Sequence, residues 1–416
     1  MIKIKIFNRL KMPLPIFHIC LNYFTTHIGF FSIMPILTIY LINIKGFSVT
    51  DSALMVSIFT VAYKSARFFV GPLLDNINPK TSIVFGCMLS GICLSLIGLV
   101  NSFFMIVILL ILSGFGFSAR GLAGSTSVSF IGDQDGKGIL YFGNINVFVN
   151  IASMIGPFIG TYLYTSGNSD FIFPIIGGFY IVSGIHIYLF LKSIDVSEKN
   201  NSKTTFFSGY KTALKNKPFM LFLIINLFGA FLYGQLFTTF PFYVSKKYGQ
   251  EELLGLLYLI NGLLVVVLQI PISNMLHKFF PKKEEYYLVS AYFIFGISFL
   301  FASIDIGLYF LYIAIAFFSI AEIFFTPTVS SIVSKHVTNN LRTTYFSLIG
   351  LSTAFGEGLG AFAGLKLLYL FDQVAKANYY WVVITLFAFF SSIIVLLYKI
   401  RESYTNSKEG ISEDIS

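Results

Sequence analysis

Residues 103–126 read FFMIVILLILSGFGFSARGLAGST, a stretch with a single charge, Arg120. A helix rises about 1.5 Å per residue, so this stretch measures roughly 36 Å, enough to cross a hydrocarbon layer about 30 Å thick. Inside lipid the backbone of such a segment is satisfied only as a helix. Working outward, runs of similar length bounded by charges or turn residues fall at 16–42, 52–74, 81–100, 103–126, 139–164, 171–192, 218–244, 252–276, 286–304, 307–333, 344–370 and 379–399.

Composition agrees with that pattern. Of 416 residues 56% are apolar, 18% aromatic and only 11% charged, against about 25% charged in a soluble domain. So few charges cannot solvate a protein surface, and they exclude disordered, collagen-like and coiled-coil chains as well. The expectation is an all-α membrane protein of twelve transmembrane helices in two pseudo-symmetric six-helix bundles. The first run follows Lys3, Lys5, Arg9 and Lys11. It is longer than the roughly 7–15-residue apolar region of a signal peptide and lacks a small-residue cleavage site, so it reads as a retained helix. Cys20, Cys87 and Cys93 all lie in apolar runs, with neither a disulfide framework nor metal-ligand spacing. No metal and no cofactor is expected.

The net charge of +9 is a matter of topology rather than of nucleic acid. With the N-terminus inside, 20 of the 28 Lys and Arg fall on the inner side, 5 on the outer side and 3 within the membrane. By the positive-inside rule both termini are expected in the cytoplasm of a multi-pass cell-membrane protein. The polar stretch Ser193–Lys217 divides the runs six and six. Residues 1–192 are read as an N-terminal bundle, 193–217 as a cytoplasmic linker with an amphipathic turn near Phe206–Leu214, 218–400 as a C-terminal bundle and 401–416 as a cytoplasmic tail. A duplication is visible in Pro35 and Pro241, near the outer ends of the first and seventh runs. It recurs where Val70–Asp75 aligns with Gln269–Asn274. Parallel repeats of this kind are a transporter architecture.

The short link after the second run reads Gly71-Pro-Leu-Leu-Asp-Asn-Ile-Asn-Pro-Lys80. Here the chain resembles the major facilitator superfamily, whose loop signature is G-x-x-x-D-(R/K)-x-G-(R/K)-(R/K). Gly71, Asp75, Ile77 and Lys80 match, whereas Asn76, Asn78 and Pro79 depart. The resemblance implies that Gly71 allows close helix approach and that Asp75 and Lys80 belong to a cytoplasmic gate; an ordinary Asx turn is the plainer reading. In the fifth run, Ala152-Ser-Met-Ile-Gly-Pro-Phe-Ile-Gly-Thr161 resembles the family's antiporter signature through Gly156, Pro157 and Gly160, which implies an exporter in the drug:proton antiporter branch. Small residues permit close packing and proline permits bending. The eleventh run repeats the spacing in Gly356, Gly360 and Gly364. In the fourth run, Leu112–Gly116 resembles an R-x-L-q-G-x-G segment whose arginine position falls on Leu110. Arg120 either stands in for that arginine or snorkels inward to pair with an acid such as Asp133.

An ionisable group at mid-bilayer costs at least about 2.5–3.5 kcal/mol on insertion scales, so each one needs a reason. Lys64, Arg67 and Arg120 supply the deep cations, all in the first half; Glu322 and Glu357 supply the deep acids, both in the second. One reading makes Glu322 or Glu357 the proton carrier, with Lys64, Arg67 and Arg120 attracting an anionic or zwitterionic cargo; the other makes all five structural ion pairs. Burial disfavours the charged carboxylate, which suits a proton carrier. Glu322 is preferred because Glu322 and Pro327 resemble an E-x-x-x-x-P of the tenth helix in family exporters. His27 stands in a polar patch with Asn22, Thr25 and Thr26 and is read as cargo-binding, against a hydrogen-bonded core histidine. His18 and His277 are read as interfacial and His186 as structural. Asn144, Asn146 and Asn150, Tyr233 and Gln235, and Asn261 are candidates for a cavity lining, with interhelical hydrogen bonds as the alternative.

Gly132–Gly138 resembles a P-loop and a calcium loop in part, yet lacks the spacer and Ser/Thr of the first and carries Lys137 at a ligand position of the second. No enzyme is expected, and an ion gradient must supply the energy. The sequence therefore predicts a proton-coupled exporter of a small molecule working by alternating access, with a siderophore-like carboxylate metabolite as the cargo favoured by the basic residues. A broad multidrug exporter and a non-transporting membrane sensor are the alternatives. Its partners would be cargo, protons and lipid, with no nucleic acid; one chain supplies a full pathway, so a monomer is expected.

Overall fold

The computed structural model describes residues 12–74, 77–135, 138–167, 171–193, 206–279, 284–304, 306–335 and 342–413. Among the described residues regular structure is helical, with no strand. The first half holds α1 (Leu14–Ile33), α2 (Leu37–Asn43), α3 (Val49–Leu74), α4 (Pro79–Ile97), α5 (Phe103–Asp135), α6 (Gly138–Thr165) and α7 (Ile172–Phe190). The amphipathic segment forms α8 (Phe206–Lys215). The second half holds α9 (Lys217–Gly234), a 3-10 turn (Gln235–Phe237), α10 (Thr239–Tyr248), α11 (Leu253–Phe279), α12 (Glu284–Ser303) and α13 (Leu308–Lys335). After these come α14 (Arg342–Leu359), a π-helical turn (Gly360–Gly364), α15 (Leu365–Gln373) and α16 (Ala377–Glu413).

Within the described residues 10 helices are long and apolar enough to cross a membrane, and Leu253–Gln269 adds a shorter apolar helix. The run at 52–74 is α3, whose 26 residues span about 39 Å despite carrying Asp51, Lys64 and Arg67. Each of the twelve sequence runs therefore folds as helix. Two of them extend far beyond the expected end. α5 continues past residue 126 to Asp135, and α16 continues past 399 to Glu413, because neither stretch meets a proline and a polar helix end needs no lipid around it.

Proline decides where two of the long runs break. The first run is interrupted at Met34–Ile36, around Pro35, and the seventh at Gln235–Thr238, just before Pro241. A proline inside a helix has no N–H for the ladder and its ring meets the carbonyl four residues back. The same two runs also begin alike, since Pro15 and Pro218 each stand in the first turn of their helix, where the missing N–H is no loss. α4 starts on Pro79 behind Asn78, whose side chain accepts from the Lys80 N–H at 3.0 Å. The Asn78 that departs from the loop signature thus serves as a helix cap.

The chain divides into two compact units, 1–201 with 244–259, and 202–243 with 260–416. In the first, α1 packs on α6 and α7, and α4 on α5 and α7; in the second, α9 packs on α14, and α12 on α13 and α16. Counted by membrane run, the first–fifth, third–fourth and third–sixth pairings recur as seventh–eleventh, ninth–tenth and ninth–twelfth. Glycine makes one of these pairings possible twice. A Cβ on Gly156 would come within 2.9 Å of the Ile28 carbonyl oxygen, and one on Gly160 would fall on that of Ser32. In the other unit, Cβ atoms on Gly356 and Gly360 would meet the Leu227 and Phe231 carbonyls. Backbone lies against backbone in both places, and Ser32 Oγ donates to the Gly156 carbonyl at 2.8 Å.

Gly160→Ala is therefore expected to lower stability to thermal unfolding in detergent by roughly 1–3 kcal/mol, the usual cost of overpacking. Gly178→Ala, whose Cβ would meet nothing within 4 Å, should stay within about 0.5 kcal/mol of the parent. Equal stability of the two variants would refute the close-packing account.

Candidate functional site

Glu322 stands on α13, one helical turn after Ser319 and on the same face. Two other helices reach it. The Tyr233 hydroxyl of α9 donates to Glu322 Oε1 at 3.0 Å, and the Asn261 amide of α11 donates to Oε2 at 3.1 Å. The same Asn261 nitrogen lies 3.0 Å from Ser319 Oγ, whose hydroxyl donates to the Ile315 carbonyl at 2.8 Å. Each carboxylate oxygen is thus met by a neutral donor, a phenol on one side and an amide on the other. Glu357 of α14, only 5% exposed, is close enough to act electrostatically on Glu322. Phe318 and Phe237 flank Tyr233 with ring centroids 5.9 and 6.1 Å away. Two interacting acids bind and release protons as a pair rather than singly. The two donors on the Glu322 carboxylate, a phenol and an amide, are both neutral.

Gln235 lies next to this cluster but is engaged differently. It is fully buried, its amide nitrogen donates to the Phe231 carbonyl at 2.7 Å, and its amide oxygen accepts from Thr239 Oγ1 at 3.0 Å and from the Tyr380 hydroxyl. A Cβ on Gly364, in the π-helical turn, would meet its side chain. Insertions of this kind recur at functional sites; here the turn brings the eleventh run against Gln235. These bonds are the interhelical ties weighed against cargo binding for this residue.

In the N-terminal unit the polar patch of α1 is resolved residue by residue. Thr26 Oγ1 donates to the Asn22 carbonyl of its own helix at 2.6 Å, and the Asn22 amide reaches Ser183 Oγ at 2.7 Å and Cys87 Sγ at 3.3 Å. His27 Nδ1 lies 2.7 Å from the Tyr23 carbonyl, which can only accept, so that nitrogen carries the proton. Its ring stacks on Tyr23, and the Arg120 guanidinium sits 4.8 Å from the centre of the same Tyr23 ring. The alternative in which Arg120 pairs with Asp133 does not fit the backbone: both stand on continuous α5, and thirteen residues of helix separate their backbones by about 20 Å. His18 and His186, read separately from the sequence, meet across α1 and α7, Nδ1 to Nε2, at 3.0 Å.

The other candidates are spread more widely. Lys64 Nζ lies 5.6 Å from the Tyr63 ring centre and Lys80 Nζ 5.5 Å from that of Tyr188. Asn146 is exposed on α6, while Asn144 keeps a buried amide nitrogen that has no hydrogen-bond partner. Gly71 falls within α3 and Pro157 within α6. Asp75 lies outside the described residues, as do the side chains of Arg67, Asp133 and His277. Ser319 and Tyr180 went unnoticed in the sequence. An i−3 serine before Glu322 was a usable signal; nothing marked Tyr180 among 24 tyrosines.

The family model described as Major Facilitator Superfamily matches residues 19–364. A Na(+), Li(+), K(+)/H(+) antiporter of Planococcus maritimus is 25% identical, over 85% of this chain and 88% of the relative. The multidrug resistance protein MdtH of Blochmanniella floridana is 21% identical, over 90% of this chain and 92% of its own. The quinolone resistance protein NorA of Staphylococcus aureus is 24% identical, over 56% and 59%. Among crystal structures, a POT family transporter in complex with 5-aminolevulinic acid aligns with a TM-score of 0.79 at 14% identity, covering 94% of this chain and 97% of that one. The nucleoside transporter NupG gives 0.76 at 16%, over 94% and 99%. At these identities the structural likenesses speak for the fold alone.

Replacing Gln235 by leucine would leave the buried Tyr380 hydroxyl without its acceptor, a loss of about 1–3 kcal/mol, while Thr239 keeps the backbone carbonyl of residue 235 at 3.0 Å. Detergent unfolding of Gln235→Leu should show that loss, while the protein that remains folded keeps its transport rate. Unchanged stability with transport abolished would return Gln235 to the cargo site.

Proposed function

The chain belongs to the major facilitator superfamily, and from that premise we propose that it is a proton-coupled antiporter, moving a small molecule outward by alternating access in exchange for protons. The observation that carries this reading is the Glu322 carboxylate, bonded by Tyr233 and Asn261 and acted on by Glu357. Its neutral donors hold the ionised form in place, and neither is a cation that would have to be displaced before a proton binds. Antiporter and drug-resistance relatives support the same direction of exchange. Lysine asymmetry supports a cell-membrane protein with both termini in the cytoplasm.

The names of the relatives given above do not speak for the siderophore-like cargo expected from Lys64, Arg67 and Arg120. Two classes have support instead. Drugs are named by the resistance relatives. Monovalent cations are named by the antiporter, and the oxygens gathered from Glu322, Ser319 and Tyr233 are the ligand type that hard cations prefer. In the cation case a proton and the cation would compete for one carboxylate.

Everted vesicles with an imposed proton gradient distinguish these cargos. Addition of Na(+), Li(+) or K(+) should collapse the gradient if cations are carried, and a fluorescent drug should be pumped if drugs are. In either case Glu322→Gln should reduce gradient-driven movement at least tenfold, a loss of about 1.4 kcal/mol or more in the coupled step, with Tyr233→Phe intermediate. Undiminished coupled transport in Glu322→Gln would sink the proton-carrier assignment.

A further inference from the structure

Among the described residues of the N-terminal unit, three buried donor atoms of two neighbouring side chains have no hydrogen-bond partner. Arg120 is 5% exposed and Tyr180 only 1%. The Arg120 guanidinium lies 4.8 Å from the Tyr23 ring centre, and its Nε and Nη1 atoms have no hydrogen-bond partner. The Tyr180 hydroxyl of α7 has none either. Arg120, Tyr180 and the Cys87 thiol of α4 are mutually within electrostatic reach.

The remaining polar groups nearby are already engaged. Asn22 serves Ser183 and Cys87, and the Tyr23 hydroxyl donates to the Gly121 carbonyl at 2.9 Å. A guanidinium does not shed its proton in a protein. Asp133 stands too far along α5 to neutralise it. A buried charge without a partner is unfavourable by several kcal/mol, so the fold keeps this arginine for something that carries negative charge. Among the described residues, the unpartnered buried atoms at the spot are Nε–H and Nη1–H of Arg120 and the O–H of Tyr180, all able to donate, and the Cys87 sulfur already accepts from Asn22. The helices pack closely beside it: a Cβ on Gly86 would come 2.7 Å from the Arg120 backbone nitrogen, and one on Gly29 would come 2.8 Å from the Tyr180 ring.

We propose that Arg120 and Tyr180 form a binding site for a small monovalent anion, a halide or a single carboxylate group, received by Nε–H, Nη1–H and the Tyr180 hydroxyl. The site lies within the N-terminal unit and does not rest on the proton-carrier reading. Its occupant neutralises the guanidinium and so stabilises the packing of α1, α4, α5 and α7 around it.

A ligand that binds the folded state raises its unfolding temperature saturably. Thermal unfolding of the purified full chain in detergent, at fixed ionic strength, can be followed as a bulky sulfonate salt, isethionate, is replaced stepwise by chloride and, separately, by formate. The unfolding temperature of the wild type should rise and then level in at least one series. A response to chloride identifies a free halide; a response to formate alone identifies the carboxylate end of a larger molecule. Tyr180→Phe keeps the ring and removes only the hydroxyl, and it should move the half-saturating concentration up about tenfold, the worth of one hydrogen bond to a charge. Arg120→Gln should abolish the response. Identical unfolding temperatures in all three salts overturn the proposal, and so does a wild-type midpoint in Tyr180→Phe. Because that second variant is expected to fold, the test stands even if Arg120→Gln does not.

Discussion

A carboxylate or amide surrounded by hydrocarbon has no water to bond, so most buried polar groups in this chain are met by partners from its own helices. The helical backbone satisfies itself. Side chains then meet in sets that join distant segments: Asn226 reaches Ser352 and Thr353, Asn22 reaches Ser183, and Gln235 receives Thr239 and Tyr380. Glu322 belongs to the same order of things, but with a difference. Its partners are neutral, so its charge is stabilised locally without being cancelled, and that residual imbalance is where chemistry enters an otherwise apolar bundle.

The second organising feature is repetition. Ile28 and Ser32 on the first run meet Gly156 and Gly160 on the fifth; Leu227 and Phe231 on the seventh meet Gly356 and Gly360 on the eleventh. Four-residue spacing puts both contacts of each pair on one helix face. What was legible as an antiporter signature is, physically, a place where two backbones touch, and the second half has the same contact without the proline. The halves share a scaffold but diverge in charge, with a guanidinium deep in one and two carboxylates deep in the other.

Hydrophobic run length made the fold readable, because lipid imposes one length and one conformation on every crossing. Pro35 and Pro241 were legible as marks of a duplication, whereas the helix breaks beside them were not read from the sequence. Pairings were not visible. His18 and His186 stand 168 residues apart, and no spacing rule joins them. Glu322 could be singled out by the rarity of acids in membrane runs, and Tyr233 and Asn261 by polarity, but their convergence on one carboxylate depends on which helix faces which. Arg120 shows the opposite failure: an acid close enough in sequence to suggest a pair is carried about 20 Å away by the rise of a continuous helix.

The central claim is that Glu322 takes up and releases a proton inside the membrane. Infrared difference titration of the purified protein tests it most directly, since a protonated carboxylic acid has its own carbonyl stretch. The account predicts a titrating carbonyl band in the wild type that is missing from Glu322→Gln. The same titrating bands in both proteins would contradict it.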